Sequence, residues 1–178
     1  MRPLMASEIE VRIGQVGDGY ATALLYKNAR VDRAMLDEEF GPMNWQCKYN
    51  EHKGNLFCSI GVWDDRNERW VWKEDCGTES QTEKEKGEAS DAFKRAGFRW
   101  GIGIELYNSP RIYLNVATDK VGDYKFKLHN PRELAGMFVS HIKTVNGKIE
   151  ELDIAQKVRN YPAKVIWSTN KNRIGEGI

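Results

Sequence analysis

The stretch GEASDAFKRAGFRWGIG, residues 87–103, sets Lys94 beside Arg95 and places Arg99 four residues further on. In a helix, residues at i and i+4 share a face, so the two arginines stand as neighbours. Planar guanidinium groups at that spacing can grip adjacent phosphates. Lys94 sits about 100° to one side and can reach another part of a strand or a neighbouring subunit. Glu88 and Asp91 fall in the first half of the segment, which concentrates positive potential at its far end. The same pattern also describes an ordinary solvated helix face.

Other chemistries find less support. Cys47, Cys58, Cys76, His52, His129 and His141 include no C-x-x-C and no H-x3-5-H pair, so no zinc pattern is present. No Ser or Cys has the local signature of an activated nucleophile. Glu51, His52 and Lys53 with Asp64 and Asp65 could serve a metal-dependent nuclease if they converged. Both clusters fall in expected turns, where charge is ordinary. Gly101-Ile102-Gly103 follows a helix and stops it; no Walker A motif occurs, so no nucleotide is expected.

The elements that would position these residues are legible in outline. Residues 20–40 have apolar positions at Ala21, Leu24, Leu25, Val31, Ala34, Met35 and Leu36, which predicts a helix ended by Gly41 and Pro42. Residues 45–50, 55–63 and 69–76 are short aromatic and β-branched runs separated by turn clusters, which predicts an antiparallel meander. A long helix over about 80–100 begins with a capping box at Ser80 and Glu83. Its Ala89, Ala92, Phe93, Ala96, Gly97 and Trp100 fall in one arc of about 140° that should pack on the sheet. Phe98 is the one apolar residue on the polar side, and a contact with a neighbouring subunit is expected there. Residues 111–116 read as a short strand, 130–137 as a turn, 138–155 as a hairpin tipped by Asn146-Gly147, and 163–169 as one more strand. The fold class is α+β, with helices on one face of an antiparallel sheet.

Bulk properties bound the function classes. The 178 residues carry a net charge of +1, with 16 Lys+Arg against 20 Asp+Glu in residues 1–119 and 11 against 6 in residues 120–178. Neither half has the charge of a bulk nucleic-acid binder, so a polyanion site must be local. No apolar run approaches the ~20 residues of a membrane span, and the N-terminus lacks a signal-peptide core. Three widely spaced cysteines argue for a reducing, cytoplasmic compartment. The expected organisation is a flexible segment over 1–19, one domain over 20–168 and a tail over 169–178.

The long-helix segment also resembles a known signature. Lys86, Glu88, Ala89, Ser90, Asp91, Ala92, Phe93, Lys94, Arg95 and Ala96 are similar to the small-residue-rich helix of the Rad-fifty-two-like superfamily of single-strand annealing proteins, whose pattern is roughly K-x-E-A-[VTS]-[TS]-D-[AG]-[LF]-K-R-A. Arg30, Leu36, Gly41 and Trp45 resemble an upstream motif of the same superfamily, and residues 138–154 resemble the closing hairpin of its bacteriophage members. The resemblance covers roughly residues 20–160. It implies a β-β-β-α core assembled as a ring or helical homo-oligomer, with single-stranded DNA in an outer basic groove and no nucleotide or metal. Lys94, Arg95 and Arg99 would line that groove, Arg30 or its neighbour Arg33 would join them, and Lys86 would face DNA or an adjacent subunit. The implied activity is binding and annealing of complementary strands in recombination or repair, with no bond chemistry. Implied partners are single-stranded DNA, further copies of the chain, and a host single-strand-binding protein or phage exonuclease. The alternatives are a strand-protecting binder that does not anneal, the nuclease above, and an interaction module without nucleic acid.

Overall fold

The computed structural model describes residues 1–78 and 84–178, without the side chains of 84–86. In chain order the elements are β1 (Glu10–Gly17), β2 (Tyr20–Tyr26), α1 (Ala29–Phe40), β3 (Trp45–His52), β4 (Asn55–Asp64), β5 (Arg69–Cys76), α2 (Lys84–Arg99), β6 (Ile112–Asn115), β7 (Thr118–Lys120), β8 (Phe126–Leu128), β9 (Met137–Val145), β10 (Lys148–Gln156) and β11 (Lys164–Ser168). Every strand pairing is antiparallel, which agrees with an α+β class. The chain divides into two compact units: Met1–Leu4 with Lys27–Ile104, and Met5–Tyr26 with Glu105–Ile178.

The first unit is the meander and its helices. Its sheet runs β3-β4-β5, with Trp45 opposite Val62 and Trp63 opposite Trp70. Side chains alternate across a strand, so Cys58, Ile60 and Val62 of β4 face one way and are buried. α2 covers that face: the Phe93 ring lies 6.1 Å from that of Trp45, and Trp100 Nε1 donates to the Ile60 carbonyl at 3.1 Å. Ala92, Phe93 and Ala96 are fully buried there, as the apolar arc predicts. The opposite face carries Trp63, Trp70 and Trp72 in sequence, with ring centroids 5.6 and 6.1 Å apart and Lys48 Nζ 4.4 Å from the Trp72 ring.

The expected helix over 20–40 divides in two. Residues 20–26 form β2, where Ala21 and Ala23 are buried and Thr22 and Leu24 point away, a period of two. The helix begins only after Asn28, whose side-chain oxygen accepts from the amides of Arg30 and Val31 at 2.9 and 3.3 Å. The expected capping box at Ser80 and Glu83 lies outside the described residues.

The second unit holds the sheets β1-β2-β6 and β9-β10-β11 and the hairpin β7-β8. β1 lies within the segment expected to be flexible, paired from Glu10↔Tyr26 to Gly17↔Tyr20. The expected hairpin is β9-β10, and Asn146 and Gly147 at its tip take φ of 50° and 72°, the left-handed pair a two-residue turn requires. Leu152, Ile154, Ala155 and Val165 form the core of its sheet. The C-terminal tail is tied back by buried Asp153, which receives Ser168 Oγ at 2.5 Å and Arg173 Nη1 at 2.5 Å. Among the described residues no helix is long and apolar enough to cross a membrane.

Candidate nucleic-acid interface

With Ala92, Phe93 and Ala96 turned to the sheet, helical geometry places Arg95 and Arg99 on one flank of α2, 40° apart. Both are held by acids. Arg95 Nε donates to Asp91 Oδ2 at 2.8 Å, and the same oxygen accepts from Thr78 N at 3.0 Å and Thr78 Oγ1 at 2.9 Å. Lys94 Nζ stands 3.8 Å from the other oxygen of Asp91. Arg99 Nε donates to Asp75 Oδ2 at 2.9 Å. Burial works against the ionised Asp91 carboxylate, but the Arg95 and Thr78 hydrogen bonds outweigh it and hold its pKa below the usual carboxylate range.

Lys73 joins this flank and was missed in the sequence. It donates to the Arg99 carbonyl at 2.9 Å and lies 4.2 Å from the Trp100 ring centroid. Strand alternation carries the signal: Lys73 and Asp75 of β5 sit on the same sheet face as Ile60 and Cys58, their register partners.

Arg33 does not join it. The Arg33 guanidinium lies 5.6 Å from the ring centroid of Phe93, and Phe93 is about 200° round the helix from Arg95. Arg30 stands exposed at the start of α1, with no ion pair among the described residues. Within one chain, therefore, the resemblance's six cations fall into separate groups. Lys86 belongs to α2, but its side chain lies outside the described residues.

The other flank of α2 is built for packing. The Lys27 ammonium is buried, pairs with Asp32, donates to the Lys94 carbonyl at 3.1 Å, and lies 4.0 Å from the Phe98 ring centroid. Phe98 thus has a cation partner within its own unit, and its ring stays half-buried. A Cβ at Gly97 would stand 2.1 Å from Asp32 Oδ1, so glycine there is a condition of the close approach of α1. Burial raises the Asp32 carboxyl to about 6, against the pull of Lys27.

The residues considered for other chemistries do not converge. Glu51 pairs with Leu56 at one end of β4, and Asp64 closes the other end. Eight residue steps separate them, about 26 Å. The cysteines are free, and burial pushes the Cys58 thiol up to about 12 and that of Cys47 upward too, the reverse of an activated nucleophile. Among the described residues no three His, Cys, Asp or Glu side chains gather as a metal-binding group.

What remains is a small antiparallel sheet backed by a helix whose open flank carries Arg95, Arg99 and Lys73, with Lys94 reaching Asp91 from the Phe98 side; each is within reach of solvent and rests on a neighbour that phosphate could replace. No protein-family model, curated protein or solved structure matches the chain.

Proposed function

We propose that the chain binds single-stranded DNA along the open flank of α2 and anneals complementary strands, without nucleotide or metal, as a bacteriophage-type recombination or repair protein. The observation that carries the reading is the β3-β4-β5-α2 unit with Arg95 and Arg99 side by side on its solvent flank. Exposed ion pairs of this kind contribute about 0–1 kcal/mol. Exchanging Asp91 or Asp75 for a phosphate therefore costs little, while backbone contacts give affinity without sequence preference. The sheet's outer strands β3 and β5 have no further partner strand among the described residues, which suits side-by-side association of copies into the homo-oligomer that the resemblance implies. The working compartment would be the cytoplasm of the host cell, with a single-strand-binding protein or exonuclease as further partner.

The test is annealing of two complementary fluorescent oligonucleotides, with and without ATP and magnesium, for the wild type and Arg95→Ala. Acceleration that needs neither additive and is lost in the variant is the expected result. Tight single-strand binding without acceleration would leave a strand-protecting protein. Degradation of the oligonucleotides on adding magnesium would overturn the reading in favour of a nuclease.

A further inference from the structure

Every cation on the open flank of α2 rests on a protein partner, whereas a second group of cations in the other unit rests on none among the described residues. The short hairpin β7-β8 pairs Thr118 with Leu128, Asp119 with Lys127 and Lys120 with Phe126. Leu128 is buried and Phe126 half-buried, which anchors the base of the hairpin. The Val121 amide donates to the Lys125 carbonyl at 2.9 Å and closes the tip. Lys120, Lys125 and Lys127 are all exposed, and none has an ion pair or side-chain hydrogen bond among the described residues. Of the nearby acids, Asp119 is occupied by His129 Nδ1 at 2.8 Å, and Asp123 is exposed at the tip. The Asp119 hydrogen bond also raises the His129 pKa. At the tip, Tyr124 is 95% exposed beside Val121 at 55%.

We propose that this hairpin is a second single-strand contact, in which Lys120, Lys125 and Lys127 hold backbone phosphates and the Tyr124 ring stacks on one base. The inference rests on the reading that single-stranded DNA is the partner, but not on α2 being where it binds. Cross-strand register puts Lys120 on one face of the ribbon and Lys127 on the other, with Lys125 and Tyr124 at the end between them. A strand drawn across the tip meets a cation on either side and an aromatic face in the middle. Every base offers a π-face, so such stacking is sequence-tolerant. One aromatic per chain leaves the remaining bases open for pairing, which a continuous stacking platform would not.

The test is fluorescence anisotropy of a labelled oligothymidine between about 50 and about 200 mM salt. It compares the wild type, the triple variant Lys120→Ala/Lys125→Ala/Lys127→Ala, Tyr124→Ala, Tyr124→Phe, and the pair Arg95→Ala/Arg99→Ala. All three lysines and Tyr124 are exposed, so equal urea midpoints are expected for the hairpin variants. Each phosphate contact to a single strand contributes roughly 0.7 to the log–log salt slope, so the triple variant should lose about 2 from that slope. Over this fourfold salt range the wild type should then weaken roughly 20-fold more than the triple variant. Tyr124→Ala should weaken binding roughly 5- to 150-fold with the slope unchanged, and Tyr124→Phe should bind like wild type. Hairpin variants with wild-type affinity and slope, beside weakened arginine variants, overturn the hairpin and leave the α2 reading standing. Weakened hairpin variants beside unaffected arginine variants support the hairpin and overturn the α2 placement. A wild type that binds anionic phospholipid vesicles and no oligonucleotide overturns both.

Discussion

On one flank of α2 the Lys27 and Asp32 side chains are paired at 1% and 0% exposure; on the other, Arg95 and Arg99 hold their carboxylates at 40% and 60% exposure. The residue types are alike and the energetics opposite. A buried pair that loses one member leaves an uncompensated charge in a low-dielectric interior, whereas an exposed pair that separates returns both members to water. One flank therefore fixes α1 against α2, and the other is free to trade its partners for a ligand. The comparison breaks most directly with Asp32→Ala, which strands the Lys27 ammonium. A loss of about 3–5 kcal/mol in urea unfolding is expected. A loss under about 1 kcal/mol would show that the pair does not clamp the helices.

Gly97→Ala probes the same flank through shape. The added methyl meets the Asp32 carboxylate, and the helices must part or the pair must shift. The expected cost is about 1–3 kcal/mol, read from the same unfolding curves, with single-strand binding by the folded fraction unchanged. Unaltered stability would mean that the contact relaxes easily and the flank is softer than its packing implies.

The two flanks should also respond to pH with opposite sign. The folded pKa of Asp32 is raised from 3.8 to about 6, so its contribution to stability is complete below the unfolded value and is lost as pH rises through about 6. Asp91 is depressed, so its contribution is present above the unfolded value and is lost as pH falls through the folded one. Urea titrations of wild type and Asp32→Asn isolate the first effect. Wild-type stability relative to the variant should fall by on the order of 2–3 kcal/mol between about pH 4 and about pH 7. A difference that rises over that range would reverse the assignment.

Much of the open flank was legible in the sequence and little of the buried one. The meander is a local pattern: aromatic and β-branched runs of eight to ten residues, with turn clusters between them, specify β3, β4 and β5 without help from elsewhere. The apolar arc of α2 is likewise local, and it correctly set Arg95 and Arg99 outward. The Lys27–Asp32 pair is invisible to such reasoning because its burial depends on Gly97, some 65 residues away. Ala21, Leu24 and Leu25 stand at i, i+3 and i+4 as in a helix, while Ala21, Ala23 and Leu25 equally fit a period of two, and pairing with β1 and β6 decides for the strand. The strands of β7-β8 have three residues each, too short to show a period at all. The acids beside Arg95 and Arg99 divide the same way. Asp91 is one helical turn from Arg95 and could be found from spacing; Asp75 reaches Arg99 only through the packing of α2 on β5.

The smallest effect on stability, and the sharpest on function, is expected from Arg95→Ala and Arg99→Ala. Each removes one member of an exposed pair, so unfolding free energy should change by less than about 1 kcal/mol. What should change is the salt dependence of single-strand binding, by roughly 0.7 in log–log slope for each arginine that meets a phosphate. Asp75→Asn separates the two roles of Arg99: it frees the guanidinium without removing it. If Asp75 competes with phosphate for Arg99, this variant should bind single strands more tightly than wild type while Arg99→Ala binds more weakly. If the ion pair instead holds Arg99 in place for the strand, both substitutions weaken binding. The sign of that one change therefore decides whether the carboxylates on the open flank are rivals of the ligand or supports for the side chains that receive it.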